Sequence, residues 1–151
     1  MMKTQIDWDN LVAASEYQTA IVIQKLLQEK KPMEADVGLS VLIESMGKSK
    51  KLALKSQLIR LMSYVIKWKC KPQRRSPTWA VTILSARNEI EDIQEEVPSL
   101  NRDYLESVWE QCFKKAAKQA EVEIGKKCAL ASLSWEEVFE REYSLFDLNE
   151  D

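Results

Sequence analysis

The 151-residue chain contains no histidine. Histidine is the one side chain whose ordinary pKa lies near neutrality. Its absence excludes Ser-His-Asp and Cys-His nucleophiles and His-ligated zinc or iron. Glycine is nearly as scarce: Gly38, Gly47 and Gly125 stand too far apart to cradle a phosphate. No G-x-G-x-x-G, G-x-x-x-x-G-K-[ST] or G-x-S-x-G occurs. Three cysteines with no C-x-x-C pair suit a reducing compartment, with Cys70, Cys112 and Cys128 each standing alone. Apolar runs are short, so no bilayer span is expected, and the start of the chain lacks the apolar core of a signal peptide. A cytoplasmic protein is predicted, without catalysis, cofactor or membrane. One exception stays open: a metal-dependent activity built from carboxylates alone.

What is present favours helices. Apolar residues make up 45 % of the chain and charged ones 30 %, with only four prolines to interrupt them. We expect an all-α fold, a single compact bundle of about five or six helices over residues 1–146, and a frayed acidic tail at 147–151. Apolar spacing predicts one helix from Trp8 to about Leu27, ended by Pro32. A shorter helix carries Val37, Leu39, Leu42, Ile43 and Met46 and stops at Gly47 as a left-handed cap; Ser49 opens another through about Lys69. Ser76-Pro77 caps a helix with the cleanest period in the chain: Trp79, Ile83, Ala86, Ile90, Ile93, Val97. Pro98-Ser99 starts another, closed by Gly125, and Ser134-x-x-Glu137 is a capping box ahead of a last short helix.

Charge is distributed unevenly. Between Ser45 and Asn88 there is no acidic residue but eleven basic ones, so the formal −2 divides into +11 for this stretch and −13 for the rest. Its densest part holds the candidate binding residues Lys67, Lys69, Lys71, Arg74 and Arg75. Lysine and arginine neutralise phosphates, and Trp68 or Trp79 would offer a stacking surface. The alternative is that acidic helices lie beside the basic one and cancel it. Glu89, Asp92 and Glu96, like Glu136, Glu137 and Glu140, read as solvated or dipole-complementing faces. Glu44 is expected to be part-buried in an ion pair. Basic neighbours favour a thiolate at Cys70, making it a candidate reactive cysteine, whereas Cys112 lies on an apolar face.

The stretch Leu42-Ile43-Glu44-Ser45-Met46-Gly47-Lys48-Ser49 resembles the I-E-x-M-G-x-S signature of domain of unknown function family 29, found largely in cyanobacteria. The resemblance runs on through Leu61 to Lys69, Pro72, Arg75 to Trp79, Thr82-Ile83, Arg87 and Val97 to Leu100. It implies an all-helical fold and no established activity, and it assigns Lys67, Trp68, Arg75 and Trp79 to a family pattern. Where the family usually has a histidine before Lys67-Trp68 this chain has Tyr64, and the family's F-P…C-P element is missing around Ala129 to Trp135. Trp68, Trp79 and Glu44 are candidates for a structural corner, with an arginine stacked on tryptophan and bonded to open helix-end carbonyls. The expected function is protein–protein contact or self-association, the basic face of one copy meeting the acidic face of another. The alternative is nucleic-acid or other polyanion binding through residues 67–75.

Overall fold

The computed structural model describes residues 5–146, and all regular structure among them is helical. Six α-helices follow in order: α1 (Trp8–Ala14), α2 (Glu16–Gln28), α3 (Pro32–Cys70), α4 (Pro77–Glu96), α5 (Arg102–Ser107) and α6 (Trp109–Ile124). A 3-10 turn (Pro72–Arg74) follows α3, and a π-helical segment (Glu136–Glu140) comes last. The fold is therefore all-α, as expected. The chain divides into two compact units, one ending at Lys51 and the other beginning at Leu52, and α3 supplies residues to both. The predicted frayed tail, 147–151, lies outside the described residues.

In the first unit, Ile23, Leu26, Ala35 and Leu42 form a small core with Trp8, Val12 and Val22 packed against it. The single helix expected from Trp8 to Leu27 is divided at Ser15, whose backbone is extended (φ −165°, ψ 113°). Ser15 closes α1 by donating its amide to the Leu11 carbonyl, and its hydroxyl opens α2 by accepting from the Gln18 amide at 3.0 Å. A serine on the apolar face fits a helical period, yet it favours caps over interiors. Trp8 lies directly on the backbone of α3, where a Cβ at Gly38 would overlap its ring.

The expected stop at Gly47 is overturned. α3 runs unbroken for 39 residues, and the described glycine with positive φ is Gly125 (68°), which caps α6. A glycine inside a helix costs only about 1 kcal/mol, which packing on both sides of it offsets.

In the second unit, Leu54, Leu58, Leu61, Met62, Val65 and Ile66 of α3 are fully buried. They pack with Ile83, Ala86 and Ile90 of α4 and with Cys112, Phe113, Ala116 and Ala120 of α6. The period read from Trp79 onward is thus the buried face of α4. Ser76 caps that helix, accepting from the Trp79 amide at 3.2 Å, with Pro77 at its first position. The helix expected from Ser99 starts later, capped by Asn101, and is divided at Val108. Ser134 and Glu137 form the expected reciprocal box: each backbone amide donates to the other's side chain, at 3.0 and 3.1 Å.

Candidate functional site

The aromatic and basic residues singled out from the sequence meet where α3 turns into α4. The chain leaves α3 at Cys70, passes through the 3-10 turn and re-enters a helix at Pro77. Arg75 fixes this corner: its Nε donates to the Trp68 carbonyl at 2.8 Å, and its guanidinium lies 5.1 Å from the Trp68 ring centre. One arginine thus satisfies an open carbonyl of the last turn of α3 and covers the face of a buried indole. The Trp68 ring meets Tyr143 edge-on at 5.7 Å.

Lys67 is only 3 % exposed. Its ammonium bonds the Glu123 carboxylate of α6, sits 3.5 Å from the centre of the Tyr64 ring and 5.4 Å from that of Trp79. A buried ammonium is tolerated only with such partners, and here the Glu123 carboxylate is itself 40 % exposed, so the pair reaches the surface on that side. Lys69 is paired with Glu137. Two of the five candidate binding cations are therefore joined to carboxylates, and Arg75 is turned onto backbone. Lys71 is half-buried, and Arg74 is exposed on the 3-10 turn.

Glu44 does not join the corner. It belongs to the first unit, and its side chain is 72 % exposed rather than part-buried, 3.8 Å from Lys48 one helical turn on. Flanking apolar residues suggested burial, but Ile43 and Met46 are themselves exposed.

The cysteine expectation is corrected as well. Cys70 and Cys128 are joined as a disulfide, with Cα atoms 6.1 Å apart, so Cys70 is neither alone nor a free thiolate. Spacing along the chain could not show this, because the partners are 58 residues apart. Cys112 is the free, buried cysteine, and burial pushes its thiol pKa up.

The disulfide is one of several bonds holding the segment after α6 onto the helices. Arg87 of α4 donates Nε to the Val138 carbonyl at 2.8 Å. Burial lowers the Arg87 pKa. Trp109 donates its indole N–H to the Leu133 carbonyl at 2.9 Å, and Tyr143 donates its hydroxyl to the Glu137 carbonyl at 2.6 Å. Trp109, Trp135 and Phe139 stack together, with the Arg102 guanidinium 4.1 Å from the Trp135 ring centre. Arg87 enters the sequence reading as one charge of the basic run and as one residue of the family resemblance, and neither shows its partner, which lies 51 positions along the chain.

Glu137 carries the largest electrostatic consequence. The Lys69 ammonium and the Ser134 amide and hydroxyl hold its carboxyl at about 2, far below the usual range. Burial raises the Tyr143 hydroxyl to about 12. Among the described residues no three acidic or cysteine side chains form a metal-ligand group, and no helix is long and apolar enough to cross a membrane.

What these contacts define is an all-helical domain whose aromatic and charged signature residues bind one another. The family pattern described as Domain of unknown function DUF29 matches residues 14–144, and the chain belongs to that family. No curated protein and no solved structure matches it.

Proposed function

We propose that this domain works without catalysis, through contacts with protein. The observation that carries the reading is an exposed aliphatic stripe on α3 in the first unit. Leu39, Ile43 and Met46 recur at steps of four and three and are 43, 62 and 45 % exposed. Single exposed aliphatics are ordinary, but a row of them along one helix is the usual mark of an interface. The conspicuous basic segment supports the same reading by subtraction. Lys67, Lys69 and Arg75 are committed to Glu123, Glu137 and Trp68, which leaves Lys71 and Arg74 to face a polyanion. A cytoplasmic setting goes with this reading on composition, and the Cys70–Cys128 bond weighs against it, since reducing compartments keep thiols reduced.

The test pairs two measurements. A partner captured with the wild-type chain, identified, purified and rebound at stoichiometry, is expected to be lost with Ile43→Glu/Met46→Glu and kept with Lys71→Glu/Arg74→Glu. Mixed single- and double-stranded DNA and RNA are titrated with salt in parallel. Micromolar binding near physiological salt, steep in salt and abolished by Lys71→Glu/Arg74→Glu, overturns the protein-contact reading in favour of a polyanion ligand.

A further inference from the structure

The three cysteines divide between two settings. Cys112 is sealed in the core at 1 % exposure. Cys70, the last residue of α3, and Cys128, three residues past the Gly125 cap, lie half-buried at the margin of that core, and these two form the disulfide. A disulfide within reach of solvent opens by direct exchange with a thiolate, whereas a sealed one opens only with the fold. Because Cys112 is enclosed, opening this bond leaves a single pair of thiols able to reclose it.

Lysines flank both ends of the bond. Cys70 stands between Lys69 and Lys71, and the exposed Lys126 and Lys127 precede Cys128. Lys69 is paired with Glu137, and the Glu121 carboxylate accepts from the Cys128 amide at 3.1 Å. Set against Glu121, the further lysines Lys71, Lys126 and Lys127 make the approach to the sulfurs positive. Such surroundings draw in anions over about a Debye length, ~10 Å, and favour thiolates. The contacts around the bond do not depend on it. The Lys69–Glu137 pair lies one residue from Cys70, the Glu121 bond is made to Cys128 itself, and Tyr143 and Arg87 hold the Glu137 and Val138 carbonyls. Both thiols therefore stay near each other after reduction, and reclosure is intramolecular.

We infer that Cys70–Cys128 is a reversible thiol–disulfide exchange site whose co-substrate is a small thiol bearing negative charge. Its thiolate enters past Lys126 and Lys127 and attacks the Cys128 Sγ. A bond forms between those two sulfurs, the Cys70–Cys128 bond breaks, and its electron pair leaves on Cys70 as a thiolate. Lys71 and Arg75, the latter bonded to the Trp68 carbonyl, offset the unfavourable carbonyl end of α3 for that anion. A second small thiolate attacks the sulfur of the first, releasing the Cys128 thiolate and the small thiol's own disulfide, so the protein gains two electrons. Run backwards, the Cys70 thiolate attacks Cys128 in the mixed disulfide and expels the small thiol. Disulfides in reducing compartments are characteristically transient and redox-sensing, so an exchanging bond reconciles this pair with a cysteine content suited to such a compartment.

The folded, oxidised chain is mixed with 2-mercaptoethanesulfonate or with cysteamine, an anionic and a cationic thiol of similar size. Opening is followed by quenched alkylation and mass spectrometry. It is expected to be first order in thiolate, with the rate ratio of sulfonate to amine falling by about threefold or more between roughly 0.01 M and 1 M salt. Lys126→Gln/Lys127→Gln should lower the low-salt ratio likewise while leaving the urea midpoint unchanged. Caught early, the mixed disulfide should lie on Cys128 with Cys70 alkylated, and transfer into the small thiol's own disulfide should restore the bond. A ratio indifferent both to salt and to Lys126→Gln/Lys127→Gln overturns the anionic co-substrate. Opening at a rate independent of thiol concentration, set by unfolding, overturns the exchange site, as do three free thiols in the untreated chain. An early adduct on Cys70 overturns the route of attack. None of these outcomes bears on the α3 stripe.

Discussion

Glu137 joins two kinds of structure with one carboxylate, capping the last helical segment through Ser134 and neutralising Lys69 of α3. The direction of its pKa fixes the direction of its pH effect. The folded value, about 2, lies below the ordinary 4.5, so folding favours the charged form. Its contribution to stability is full above about pH 4.5 and disappears as pH falls towards 2. Chemical denaturation between pH 6 and 2 should therefore show wild-type stability falling, and Glu137→Gln should start lower, by about 2 kcal/mol at pH 6, with a flatter slope. Equal slopes in the two proteins would refute this role. The alkaline side has its counterpart in Tyr143: its raised pKa, about 12, makes stability fall as pH rises above about 10, where the hydroxyl begins to ionise in the unfolded chain but stays protonated in the fold.

At the scale of elements, Gly47 shows what local reading sees and what it misses. Gly47 followed by Ser49 has the composition of one helix ending and another beginning. In the fold both lie inside α3, and a Cβ at Gly47 meets nothing within 4 Å. Gly47→Ala should accordingly stabilise the chain by about 0.5–1 kcal/mol, by removing backbone freedom from the unfolded state. A loss of stability in urea denaturation would mean that α3 is broken there after all. The signals that did survive folding are those settled within a few residues: the Ser76-Pro77 start, the Gly125 cap, the Ser134–Glu137 box and the buried period of α4. What did not show was non-local. Lys67 reaches Glu123 across 56 positions and Lys69 reaches Glu137 across 68, and neither spacing has a periodicity that sequence reading can detect. The polarised charge was visible in the sequence, but its pairing became visible only with the fold. The opposite surprise is Ser15, where a local preference for capping overrode an apolar pattern that ran straight through it.

On the scale of the whole molecule, the Cys70–Cys128 bond ties the end of α3 to the segment after α6 and encloses all of α4, α5 and α6 between its ends. Closing a loop of 58 residues removes chain entropy from the unfolded state, by about 4 kcal/mol in the loop-closure account. The same segment is held by Arg87, Trp109 and Tyr143, so those contacts should keep it docked after reduction while global stability drops. Thiol counting on denatured, unreduced protein gives the first reading: one free thiol, from Cys112, is expected, and three would show that the bond does not form. Denaturation with and without a dithiol reductant gives the second. The midpoint should fall on reduction, Cys128→Ser should reproduce the fall, and the reductant should then have no further effect on that variant. A midpoint that does not move in either case would overturn the stabilising role assigned to the bond, because contacts made by Arg87, Trp109 and Tyr143 in the folded state cannot restore the chain entropy that the unfolded state regains on reduction.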